Sequence, residues 1–135
     1  YRGSKIFIGG SMIKFKRKKF RLEFEDLDVR LIHIAFALAG AVEYEFGKDL
    51  IITSVKRTDQ NSTHGHRRAL DFRISQRMGR YFTEEEVDFM KVFCGYYKYG
   101  NSRPTLYVHE NRGSVGLHGH LQTNASDTLI LSKHA

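Results

Sequence analysis

The run from Leu27 to Val42 constrains the fold more than any other part of the chain. Leu27, Leu31, Ile34, Ala35, Leu38 and Val42 recur at helical spacing, and Ile32, Phe36 and Ala39 widen the apolar face. A helix with so broad a face has to be covered on more than one side, and the rest of the chain must supply the cover. The spacing predicts this helix from about Asp26 or Asp28 to Phe46. An Asp at its start can accept from free backbone N–H groups. Gly47, just past its end, supplies a left-handed cap, and Lys48 suits the negative end of the helix dipole. His33 lies inside this helix and reads as a core or edge residue rather than a ligand. No apolar stretch approaches the roughly 20 residues of a membrane span.

The cover comes from strands and a second helix. Leu50 to Val55 is β-branched, bounded by turn formers, and reads as a buried strand. In Ala69 to Ile74, Leu70, Phe72 and Ile74 share one face while Asp71 and Arg73 share the other. The polar stretch Lys56 to His66 between them is a loop. Thr83-Glu84-Glu85-Glu86 is a capping box, with Phe82 and Val87 as its hydrophobic staple. Val87, Met90, Cys94 and Tyr97 then follow at helical spacing up to Gly100. Thr105 to His109 and Leu117 to Leu121 are strands of a hairpin that turns at Asn111-Arg112-Gly113-Ser114. Leu129-Ile130-Leu131 is expected to pack back on the domain. Residues 13–24 partly alternate and read as a short strand or an ordered arm. Residues 1–11, with Gly9-Gly10-Ser11, read as an appended remnant or arm before a native start at Met12, leaving 12–135 as a single domain. The fold class is α+β: a small, central, mostly antiparallel sheet with two main helices packed on it.

With 135 residues the chain is long enough for one core and too short for two. Cys94 is the lone cysteine, which excludes a disulfide framework and any Cys-rich zinc site. At helical spacing it reads as a small core residue. The formal net charge of +7 suits an anionic partner such as nucleic acid, anionic lipid or a polyanionic cell wall. Charge alone does not choose among them. The densest basic run, Lys14 to Lys19, reads as a solvated edge or arm. No apolar segment of signal-peptide type follows the basic N-terminus, so no secretory signal is expected.

Any metal site must therefore draw on His, Asp and Glu. His64 and Asp71 stand seven residues apart, an odd number that forbids one strand face to both. A loop carrying His64 and a strand carrying Asp71 resolve this. In Leu117-His118-Gly119-His120-Leu121 the period of two puts both imidazoles on one face. Two His and one carboxylate, with another His beside them, make up an open catalytic zinc site. His64, Asp71 and His120 are the candidate ligands of one zinc ion on the open face of the sheet, with His118 as helper. His66 stands five residues before Asp71, off the spacing, and reads as a solvated loop residue, with lining of the cleft as the alternative. His109 and His134 have no assigned role.

The surrounding residues carry a resemblance. Ser54 and Arg57 lie at and after the end of a strand, and Ser62-x-His64-x4-Ala69-x-Asp71 follows. The chain thereby resembles the family of zinc D-Ala-D-Ala carboxypeptidases and L-alanyl-D-glutamate endopeptidases, which includes phage endolysins and shares the wider hedgehog and lysostaphin-type zinc fold. The family pattern is SxHxxGxAxD. The likeness spans roughly residues 27–123, with motif identity confined to 52–75 and 117–122. It implies that His64, Asp71 and His120 are the zinc ligands and that His118 is a catalytic helper. It implies that Arg57 holds a substrate carboxylate or the developing oxyanion, with Ser62 and His66 on the substrate side. Two positions depart from the pattern. Its Gly falls on Arg67, with Gly65 available for the turn. The Glu of the carboxypeptidase branch falls on Leu117, so that Glu110 and His118 are the candidate replacements.

The resemblance implies a zinc peptidase that cuts an amide in the peptide stem of bacterial peptidoglycan. A monomeric, phage-encoded enzyme, cytoplasmic and then released to the wall or else virion-associated, would need no signal peptide. Two rival readings stand beside it. One is a His-x-His metal-dependent nuclease, which the charge would suit; against it, Gly119 stands where that motif wants an apolar residue, and Tyr96, Tyr97 and Tyr99 precede the His pair. The other is a basic zinc-binding module without catalysis.

Overall fold

The computed structural model describes residues 5–8, 11–55, 69–76, 79–99, 103–104, 106–110, 117–123 and 130–131. In chain order these form β1 (Lys5–Ile8), β2 (Ser11–Phe15), α1 (Lys18–Phe24), α2 (Val29–Phe46), β3 (Leu50–Ser54), β4 (Ala69–Arg73), β5 (Ser75–Gln76) and β6 (Gly79–Arg80). There follow α3 (Glu84–Cys94), β7 (Tyr97–Tyr99), β8 (Arg103–Pro104), β9 (Leu106–Glu110), β10 (Leu117–Gln122) and β11 (Ile130–Leu131). The class is α+β. The main sheet has the order β1-β2-β3-β4-β10-β9. All its pairings are antiparallel except β2 with β3. That parallel pair needs a crossover, which α1 and α2 provide.

The central helix has the predicted span and caps. Asp28 accepts from the Arg30 N–H at 2.9 Å, and Gly47 closes the other end at φ 65°. Leu31, Ile34, Ala35, Leu38, Ala39 and Val42 are buried, and Ile32 and Phe36 pack half-buried beside them. The helix face is as broad as its sequence requires. His33 is exposed, its ring 6.4 Å from that of Tyr97.

The second helix begins at the capping box. The Thr83 hydroxyl accepts from the Glu86 N–H at 3.1 Å, and the Glu86 carboxylate accepts from the Thr83 N–H at 2.8 Å. The same carboxylate meets Lys48 Nζ, which also donates to the Tyr81 carbonyl at 2.8 Å. Lys48 thus ties the end of α2 to the start of α3. Burial favours the neutral acid at Glu86, but the bonds from Lys48 and Thr83 outweigh it and hold the carboxyl below its ordinary value.

Three expectations differ in detail. The segment 13–24 is a strand followed by α1, not a strand or arm alone. Phe20 and Phe24, one helical turn apart, are buried, while Leu22 between them is 63% exposed. Second, α3 stops at Cys94 rather than running to Gly100, because Tyr97–Tyr99 pairs with β8 and β11 in a separate small sheet. Ile130 and Leu131 return to the domain through that pairing, and Leu129 lies outside the described residues. Third, β1 adds an outer strand to the sheet from within the segment 1–11. The basic residues Lys16, Arg17, Lys18 and Lys19 are exposed where β2 passes into α1.

One face of the main sheet joins the helices in a single core. Ile13, Phe15, Leu50, Ile52, Leu70, Phe72, Leu106 and Leu121 all belong to it. At its centre Phe72 lies opposite Gly119 in register, and the Phe72 ring occupies the space a Cβ on Gly119 would take. Gly119 is the price of seating an aromatic ring on the neighbouring strand. Gly119→Ala should therefore overpack the core and cost about 1–3 kcal/mol, seen as a lower urea midpoint and partly restored by adding Phe72→Leu. Cys94 is buried at the end of α3, and burial pushes its thiol up to about 12. We expect a disulfide reagent at pH 8 to label Cys94 only after denaturant unfolds the chain.

Candidate metal centre

The opposite face of the same strands carries the polar candidates. In β4, Asp71 and Arg73 alternate with Leu70 and Phe72, whose side chains belong to the core. In β10, His118, His120 and Gln122 alternate with Gly119 and Leu121. The β4–β10 register sets His120 opposite Asp71, His118 opposite Arg73 and Gln122 opposite Ala69. On the other side of β10, His118 faces His109 and His120 faces Tyr107 in register. A bulge in β3 shifts the pairing between Ile52 and Ser54, so that Ser54 stands opposite Asp71. An extra residue of this kind re-aims a strand end, and bulges favour functional sites.

Asp71 and His120 meet directly. His120 Nδ1 lies 3.0 Å from Asp71 Oδ1, and the two side chains are 14% and 5% exposed. On its other side, His120 Nε2 lies 2.8 Å from Gln122 Oε1. His118 Nε2 stands 3.9 Å from the second Asp71 oxygen, Oδ2. One buried carboxylate is thus flanked by two imidazoles from the adjacent strand. A carboxylate removed from water needs compensating charge or donors, and the His120 ring supplies one when Nδ1 carries a proton.

Of the residues singled out in the sequence, Asp71, His118 and His120 come together here. His64, Arg57, Ser62 and His66 lie outside the described residues. Glu110 pairs with Leu117, so its strand position is out of phase with His118 and His120. Of the two candidate helpers, His118 is therefore the one in strand phase with the Asp71–His120 pair. Leu117, at the position where the resemblance would place a Glu, is half-buried against the core. Its backbone N–H donates to Ser75 Oγ at 2.9 Å, which anchors the start of β10. Gln122 was missed. The period of two that joined His118 to His120 continues to it, but an amide is not a typical zinc ligand and drew no attention.

Among the described residues no three His, Cys, Asp or Glu side chains form a metal-binding group. The Asp71–His120 pair still suits a metal. It brings an oxygen and a nitrogen donor to one point, and the ring nitrogen turned away has an acceptor beside it, as the imidazole ligands of metal sites ordinarily do.

No family model matches the chain, and no curated protein and no solved structure is significantly similar to it. Among the described residues no helix is long and apolar enough to cross a membrane.

Asp71→Ala should remove the acceptor that holds the buried His120 ring. The expected loss is about 1.5–3 kcal/mol in metal-free protein, measured by urea denaturation with an unchanged m-value.

Proposed function

We propose that the chain is a zinc-dependent peptidase that hydrolyses an amide in the peptide stem of bacterial peptidoglycan. The observation that carries this reading is the contact of two of its three expected ligands, Asp71 and His120, at 3.0 Å on adjacent strands. The reading rests further on the order Ser62, His64, Ala69, Asp71 and the distant His118-x-His120, which resembles the phage endolysin-type zinc peptidases.

Asp71, His120 and His64 would hold one zinc ion. When bound, zinc supplies the Lewis acidity that activates water and polarises an amide carbonyl. His118 is the group of this chain suited to move the proton. Its Nε2 lies near Asp71 Oδ2, so the carboxylate can steady a positive charge on the ring. Arg57 would take the substrate carboxylate or the charge growing on the carbonyl oxygen, and Ser62 and His66 would line the substrate side. The net charge of +7 would favour approach to a polyanionic wall. A phage-encoded enzyme that acts as a monomer, released from the cytoplasm or carried on the virion, fits these features.

A second reading, a zinc-binding module without catalysis, is favoured by one observation. Leu117, packed half-buried on the core, replaces the acid of the carboxypeptidase branch.

Elemental analysis separates these readings from no metal at all. We expect about one zinc per chain in the wild type and a loss in both His64→Ala and His120→Ala. Zinc-loaded protein should then release peptides from purified peptidoglycan, and His118→Ala should slow this by about 100-fold or more while keeping its zinc. Bound zinc without peptide release would leave the module. Absence of zinc would remove the peptidase reading.

A further inference from the structure

Three groups meet in a chain across this face: Asp71 Oδ1, the His120 ring and Gln122 Oε1. Their separations are 3.0 Å at Nδ1 and 2.8 Å at Nε2. A carboxylate oxygen only accepts, and an amide oxygen only accepts. A neutral imidazole has one N–H, which cannot serve both contacts. The arrangement is consistent in three ways. Both nitrogens can carry protons. The amide can turn its NH2 toward Nε2, so that Nδ1–H donates to Asp71. Or Nε2–H donates to Gln122 and a cation lies between the Nδ1 lone pair and Asp71.

We infer that Gln122 is a positioning residue that, with zinc bound, keeps the proton of His120 on Nε2 and so presents Nδ1, beside Asp71, to the metal. This rests on the zinc reading above. Two features of the fold fit Gln122 to the task. It is buried to 7% exposure on the same strand face as His120, so its amide is confined rather than solvated. Its register partner is Ala69, a small and fully buried residue that leaves room for the longer side chain across the ladder. An acceptor on the far nitrogen fixes both tautomer and ring orientation, and loss of such a partner typically weakens metal binding 10–100-fold.

The test compares zinc affinity, by competition with a chromophoric chelator, in wild type, Gln122→Leu, Gln122→Glu and His120→Ala. Thermal unfolding of the metal-free forms controls for folding. We expect Gln122→Leu to bind about 10–100-fold more weakly, and Gln122→Glu, which keeps an acceptor, to stay within about threefold of wild type. Nitrogen-15 NMR of the zinc-loaded wild type should show His120 protonated at Nε2 and ligated through Nδ1. That measurement decides the matter even if Gln122→Leu does not fold. Ligation through Nε2, or equal affinity in Gln122→Leu and wild type, would overturn the role of Gln122 while leaving the zinc site intact. If wild type binds no zinc, or binds it equally after His120→Ala, the zinc reading itself fails and the role of Gln122 fails with it.

Discussion

The pairing of β4 with β10 carries the rest of the structure. Through one face it seats Phe72 over Gly119 and closes the core beneath α2 and α3. Through the other it brings Asp71 against His120. Because strand faces alternate, these are one constraint and not two. A shift by a single residue would push the core face into the site and the site into the core. The Phe72 ring makes such a shift difficult, since Gly119 is the one residue of β10 without a Cβ. The packing that stabilises the sheet therefore also fixes the geometry of the polar pair.

The face away from the helices differs in kind from the core. It collects a carboxylate, two imidazoles and an amide within one strand pair, all of them largely removed from water. Burying such groups costs stability unless each finds a partner, and a core of similar volume without them would be easier to build. The polar chain Asp71–His120–Gln122 meets part of that cost. A fold concerned only with stability has little reason to put these groups there, which is the physical case for reading the face as a working surface.

Local signals were legible in the sequence and tertiary ones were less so. Asp28, Gly47 and the Thr83–Glu86 box announce their helix ends because each acts within a few residues of itself. The alternation in Ala69–Arg73 separated the core face from the polar face, and the period of two put His118 and His120 on one face of β10. The segment 18–24 was misjudged because Phe20, Leu22 and Phe24 mimic a period of two; only the burial of the two Phe and the exposure of Leu22 distinguish the helix. Tyr97 fits the periodicity of α3, yet its backbone pairs with strands brought from elsewhere in the chain. The candidate site residues were singled out by their chemistry. That Asp71 pairs with His120 rather than His118 depends on a register that no single segment contains, and Gln122 matters only through the ring it contacts.

The sheet order has a consequence in time. Asp71 and His120 are separated by 49 residues, and β10 enters between β4 and β9. As the chain leaves the ribosome, the helices and β2 to β4 are present well before β10 exists. Until then the β4 edge that β10 covers is open, and Asp71 lacks the His120 ring. The polar pair is thus among the last features that synthesis can complete, after a long loop has closed at its entropic cost. A chain built in this order keeps its buried polar face unassembled until nearly all of its core-forming residues have been made.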